Sequence, residues 1–185
     1  MENEIKIPVL NAEQIRVLGA LMEKAKTTPD YYPMTMNGLV SACNQKTSRK
    51  PVVNYSDEII GTALNSLKIA GLISTATGGS IRNIKYKHNF AIVYPLLPSE
   101  VAVMCLLFLR GPQTPGEINT NSGRLYEFET LEEVNQTLEK LAKEGYIKQL
   151  PKRPGQKEQR YIHLSNGDVE FNEDDFATEE TPTRA

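Results

Sequence analysis

Between Asn44 and Lys50 the chain sets two carboxamides, Asn44 and Gln45, beside three bases, Lys46, Arg49 and Lys50, with no acid among them. Asn and Gln pair bidentately with an adenine edge and Arg with guanine, while Lys neutralises phosphate. The same side chains also hold tight loops through bonds to their own backbone. The stretch therefore reads either as a nucleic-acid contact or as a self-bonded turn. Two further basic clusters accompany it. One is Arg82, Lys85 and Lys87, next to Gly78-Gly79-Ser80. The other is Lys152, Arg153, Lys157 and Arg160 around Pro154-Gly155, opposed only by Glu158; a solvated hairpin tip has the same composition.

Catalytic chemistry finds little purchase. The two histidines, His88 and His163, have no Cys, Asp or Glu at metal-ligand spacing. They occupy matching places in an internal repeat, which fits a structural role. Gly78 and Gly79 fall in a turn where glycine supplies positive φ, and no phosphate-cradling glycine loop of the P-loop or dinucleotide type is present. Cys43 and Cys105 lie in apolar helical patterns in different halves, the placement of reduced core residues. No enzyme activity, metal or cofactor is expected.

The elements that position these residues are written twice. Ser56 opens a helical run with apolar residues at Ile59, Ile60, Ala63, Leu64, Leu67 and Ala70, closed by Gly71 and followed by strand-like Leu72-Ile73-Ser74-Thr75. Thr130 opens another with Leu131, Val134, Leu138 and Leu141, closed by Gly145 and followed by Tyr146-Ile147-Lys148-Gln149-Leu150. After each turn a second strand ends in Tyr86-Lys87-His88 or Tyr161-Ile162-His163. Two helices precede each run. Asn11 and Gln14 form a capping-box pair ahead of the first helix, and Thr35 caps the second. In the second half Ser99 is the expected cap of a strongly apolar helix, and Thr114-Pro115-Gly116-Glu117 starts the next. The pattern predicts a mainly helical α+β chain of two tandem winged-helix domains. They are residues 1–89 and 99–164, joined by a linker over 90–98, with a disordered acidic tail over 165–185.

Charge follows the same division. The net charge of −2 hides a tail in which seven acids face one base, Arg184, so the body over residues 1–164 is +4. Residues 1–89 hold 11 bases against 7 acids. No apolar run approaches the roughly 20 residues a bilayer requires, and the first residues lack a signal-peptide pattern. A soluble cytoplasmic protein without membrane contact is expected.

Three runs carry a resemblance: Ala42 to Val52, Leu109 to Glu117, and Pro154 to Leu164. In that order they resemble the signature segments of the YceH family, whose function is not established. The likeness spans roughly residues 8–164 and implies a tandem winged-helix protein. The chain departs from it at Ile118-Asn119-Thr120-Asn121-Ser122, where Asn stands at places at which the resemblance leads one to expect bases.

Winged helices commonly lay their third helix in the DNA major groove. Here the first such helix offers Asn65, Ser66 and Lys68 but starts with Asp57 and Glu58. The second sets Glu132, Glu133, Glu139 and Glu144 against Lys140 and Lys143. Phosphate binding needs net positive charge, so the loop and hairpins are the better DNA contacts. Two readings follow: a nucleic-acid-binding, regulator-like module for double-stranded DNA, or a protein-interaction module, homodimeric or with another partner, that uses the acidic helices.

Overall fold

The computed structural model describes residues 5–77, 84–152 and 154–166. The chain is α+β and mainly helical, with seven α-helices and two small antiparallel hairpins among the described residues. The first half holds α1 (Ala12–Thr27), α2 (Met36–Cys43), α3 (Asp57–Ile69), β1 (Ile73–Thr77) and β2 (Ile84–His88). A short α4 (Phe90–Val93) leads to α5 (Pro98–Arg110), α6 (Pro115–Asn121), α7 (Leu131–Lys143), β3 (Ile147–Gln149), β4 (Tyr161–His163) and a final 3-10 turn over Leu164–Asn166.

Capping residues set most of the helix starts. Asn11 accepts from the Gln14 amide N–H while the Gln14 side chain accepts from Asn11, both at 2.8 Å. Thr35, Ser56 and Thr114 cap α2, α3 and α6 through their hydroxyl oxygens. Thr130 caps α7, but Glu133 reaches past it to the Glu129 N–H. The expected cap at Ser99 is corrected: the cap position is two residues earlier, at Leu97, with Pro98 opening α5 and Glu100 accepting from the Leu97 N–H at 2.8 Å. Proline at a helix start loses no bond, because that N–H has no partner within the helix.

The repeat extends to individual hydrogen bonds. Gly71 and Gly145 take φ of 81° and 91°, a region that favours glycine. Just beyond them, the Leu72 N–H donates to Leu67 O and the Tyr146 N–H to Leu141 O, each at 3.0 Å. In each half the residue before the cap of the second helix bridges the outer hairpin strand, Met34 with Tyr86 and Gln113 with Tyr161. The end of each hairpin returns to its start, from Asn89 N–H to Leu72 O at 2.7 Å and from Leu164 N–H to Tyr146 O at 2.9 Å.

The two halves share one hydrophobic core. Buried Leu18, Leu21 and Met22 of α1 join Met104, Leu107 and Leu109 of α5 in it. At Gly19 an added Cβ would stand 2.9 Å from Leu109 Cδ2 and 3.1 Å from Phe108 Cβ, so the helices approach as closely as they do because no side chain intervenes. Segments outside the helices tie the halves further. The Lys6 N–H donates to Gly145 O at 2.9 Å and the Leu10 N–H to Ser165 O at 2.8 Å.

This packing redraws the expected connections. Within the 90–98 segment, otherwise largely exposed, two rings pack onto the second half: Phe90 is buried edge-on against Phe108, with ring centroids 5.6 Å apart, and Tyr94 meets Tyr146 in the same manner. Ser165, expected to open the tail, is buried and holds Leu10. Residues 167–185, where the rest of the tail falls, lie outside the described residues.

Two glycine substitutions separate close packing from helix propensity. Gly19→Leu should lower stability by about 2–3 kcal/mol through overpacking. In α3, a Cβ at Gly61 would meet only Met36 Cε at 3.8 Å. Gly61→Ala should therefore raise stability by about 0.5–1 kcal/mol. Urea unfolding midpoints for the two variants check both signs.

Candidate nucleic-acid interface

Two charged side chains of α1 organise the basic loop. Arg16 donates through Nη1 to Cys43 O at 3.0 Å and through Nη2 to Pro51 O, one carbonyl at each end of the segment. Glu23 accepts a forked pair from Arg49, at 2.8 Å from Nη2 and 3.2 Å from Nη1. Arg49 also donates to Ala42 O from Nε and Nη2, and to Ser48 O from Nη1. These bonds hold Ser48 at φ 60°, a left-handed conformation that costs roughly 1–2 kcal/mol for an L residue. Burial by itself would raise the Glu23 carboxyl, but the Arg49 guanidinium, helped by Lys24, holds it below the usual carboxylate range.

Most of the loop's proposed base readers are thereby occupied. Asn44 pairs with the Tyr55 backbone in both directions, at 2.9 and 2.8 Å. Gln45 donates to Thr47 O and accepts from Lys24 Nζ. Arg49 is buried with its donors spent, which corrects the reading of it as a DNA contact. Lys50 is half-buried, its N–H donating to Leu109 O of α5. Of the five loop residues only Lys46 is fully exposed.

The hairpins divide similarly. Lys87 is exposed and Lys85 half-buried, while Arg82 lies outside the described residues. Lys152 and Lys157 are exposed, and Arg153 lies outside the described residues. Arg160 is buried, donating to Gln156 Oε1 at 2.9 Å and approaching the Glu117 carboxylate to 3.8 Å, so it too is corrected from contact to scaffold. Asn121, in the segment where bases were expected, donates to Gln113 Oε1 at 3.1 Å. On α7, Lys140 is held by buried Glu100 at 2.6 Å.

The repeat-equivalent histidines are structural neighbours of the hairpins. The Phe90 N–H donates to His88 Nδ1 at 3.1 Å, and His163 packs edge-on to Phe108 with centroids 4.8 Å apart. Burial holds both imidazoles neutral, pushing His88 down to about 4 and His163 down to about 3. Both cysteines are free and buried, and burial pushes the Cys43 thiol up to about 12. No group of His, Cys, Asp and Glu able to hold a metal occurs among the described residues. Nor is any described helix long and apolar enough to cross a membrane.

One feature is absent from the loop-and-hairpin pattern. A cavity of about 590 Å³ opens between α1, the 49–55 segment, the end of α5 and β4. Arg49 to Val52, Arg110 to Pro112, and Ile162 with His163 all line it, so the three distinctive sequence runs, far apart in the chain, meet at one place. Arg16 and Arg110 also line it. Arg16 was recognisable only as a lone base within the apolar pattern of α1, and Arg110 as the base that ends α5.

A family model described as "Protein of unknown function, DUF480" matches residues 10–156, a span that takes in the cavity-lining residues from Ala12 to Pro112. The chain belongs to this family. Among DUF480 relatives, a UPF0502 protein of Solibacter usitatus is 50% identical over 165 residues, covering 89% of this chain and 80% of the relative. UPF0502 protein YceH of Escherichia fergusonii is 43% identical over 182 residues, covering 94% and 83%. A UPF0502 protein of Opitutus terrae is 43% identical over 179 residues, covering 95% and 78%.

Two measurements test this electrostatic architecture. Glu23→Gln strands the Arg49 charge in a buried site and should cost about 3 kcal/mol in urea unfolding. The histidines make stability pH-dependent. Their folded pKa values are depressed, so the unfolded chain takes up protons first, from about pH 6.5 downward. Stability is full above that pH and falls across the window down to about 4 for His88 and about 3 for His163. Each should cost roughly 2 kcal/mol at pH 5 relative to pH 7. His163→Gln should remove about half of the pH 7-to-5 difference, whatever its effect on stability itself.

Proposed function

We propose that each half of the chain is a winged helix, with α3 and α7 as the third helices and the hairpins as wings, and that the pair forms a non-enzymatic, nucleic-acid-binding module. The order of three helices and a hairpin supports the fold, together with the repeated bridge from before the second helix to the outer strand. One observation carries the function. In the loop and hairpins the described arginines and amides are spent inside, while Lys46, Lys87, Lys152 and Lys157 remain exposed. Lysine ammonium groups neutralise phosphates as point charges and do not read bases in a fork geometry. The expected mode is therefore backbone binding to duplex DNA with little sequence preference.

A protein-interaction reading has its own support on α3. Ile59 is 41% and Ile69 88% exposed there, and Lys68 is the helix's one base. Such a face suits an apolar partner or a second copy better than phosphates.

Fluorescence anisotropy with mixed-sequence duplex DNA across a salt series separates the two. Four phosphate contacts predict a slope of log affinity against log salt of about −3.6, a loss of roughly 100-fold between 50 and 200 mM. Lys46→Glu with Lys157→Glu should flatten that slope by about half. Arg49 is unsuitable for charge reversal, because its loss would disrupt the loop. A shortened chain should end after Asn166 and not at Leu164, since Ser165 holds Leu10. Tighter binding by that version would assign the acidic end a competing role. Absence of binding at low salt in both versions would leave the protein-interaction reading.

A further inference from the structure

The cavity between the two halves has an unusual lining. Four cationic side chains, Arg16, Arg49, Lys50 and Arg110, border it, and no carboxylate does among the described residues. Glu23, which balances Arg49, is not among the lining residues. Arg16 bonds only to neutral carbonyls, and Arg110 makes no hydrogen bond or ion pair among the described residues. Two of the lining residues, Arg16 on α1 and His163 on β4, each have a buried polar atom with no hydrogen-bond partner among the described residues, Nε and Nδ1. Arg16 and His163 are more than nine-tenths buried. A buried polar group left without a partner costs about 1–3 kcal/mol. Polar groups without a partner among the described residues thus occur on both sides of the cleft, beside cations with no carboxylate in its lining.

The remaining wall is apolar, from Ile15, Val52, Val53, Leu107, Phe108 and Ile162. The volume of about 590 Å³ falls within the range of small-molecule sites.

We propose that this cleft binds a small amphipathic organic anion, its carboxylate, sulfonate or phosphate held by Arg16 and Arg110 and its apolar or aromatic body lying on Phe108 and the aliphatic wall. The electrostatics agree with the geometry. Burial depresses the Arg16 and Arg110 guanidinium groups and Arg49 repels both; Glu23 and Glu117 offset part of this at Arg110, and a bound anion relieves the remainder. His163, held neutral by burial, lines the β4 side of the cleft and adds no charge to it. Both halves contribute walls, so the ligand bridges them. The inference is independent of nucleic-acid binding.

Anilinonaphthalene sulfonate has the required chemistry, a sulfonate on an aromatic body, and its fluorescence on the full-length chain reads binding directly. The expected result is saturable binding of one molecule per chain with a dissociation constant on the order of micromolar. The uncharged analogue N-phenylnaphthylamine should bind at least about tenfold more weakly, as should the sulfonate to Arg110→Gln and to Val52→Glu. Arg110 anchors nothing by hydrogen bond among the described residues and Val52 is 51% exposed, so both variants should keep the parent's thermal transition. If Arg110→Gln fails to fold, Val52→Glu carries the test. Equal affinity for the uncharged analogue, unchanged affinity in the folded variants, or no saturable binding would each overturn the proposal.

Discussion

The contact between α1 and α5 at Gly19 is the constraint on which the rest of the molecule depends. A chain carrying two copies of one helical pattern has a simple alternative, two independent beads on a string. Gly19 removes it by letting Leu109 and Phe108 come up against the backbone of α1. At that separation Cys105 lies within 3.5 Å of Gly19 O, and the Lys50 N–H reaches the carbonyl of Leu109. The cavity between the halves exists because its two walls are fixed by this close approach.

Around the basic loop and the second hairpin, most of the charge is sorted by side-chain chemistry. Arg16, Arg49 and Arg160 are buried, where a planar fork can satisfy several carbonyls or a carboxylate at once. Lys46, Lys87, Lys152 and Lys157, with compact and strongly hydrated ammonium groups, stay in water. A count of bases per segment treats the two alike, which is why the first half's excess of positive charge overstated what its surface offers.

The repeat was legible in the sequence because it rests on local signals. Gly71 and Gly145 mark left-handed helix ends, Asn11, Thr35, Ser56 and Thr114 mark helix starts, and the inward residues of α3 and α7 follow one period. What stayed hidden depends on partners far along the chain. Arg49 meets Glu23, 26 positions away, and nothing in the loop's composition indicates that its guanidinium turns inward. Ser99 looked like a cap because the sequence does not reveal that Pro98 had already begun the helix. The cleft is assembled from segments as distant as Arg16 and His163, so no spacing rule could find it, although the three distinctive runs that line it could each be picked out.

The bonds from Lys6 to Gly145 and from Leu10 to Ser165 also bear on how the molecule is made. Ile7 and Leu10 are buried members of the shared core, and the backbone bonds beside them, from Lys6 to Gly145 and from Leu10 to Ser165, reach into the second half. On the ribosome, residues at the start of the chain must wait for segments more than a hundred positions downstream before their amides are satisfied. The first half emerges with an apolar face of α1 that has no cover until α5 has been synthesised. The shared core is thus completed only once the segments from α5 to Ser165 have followed the first half, and until then the apolar face of α1 is uncovered.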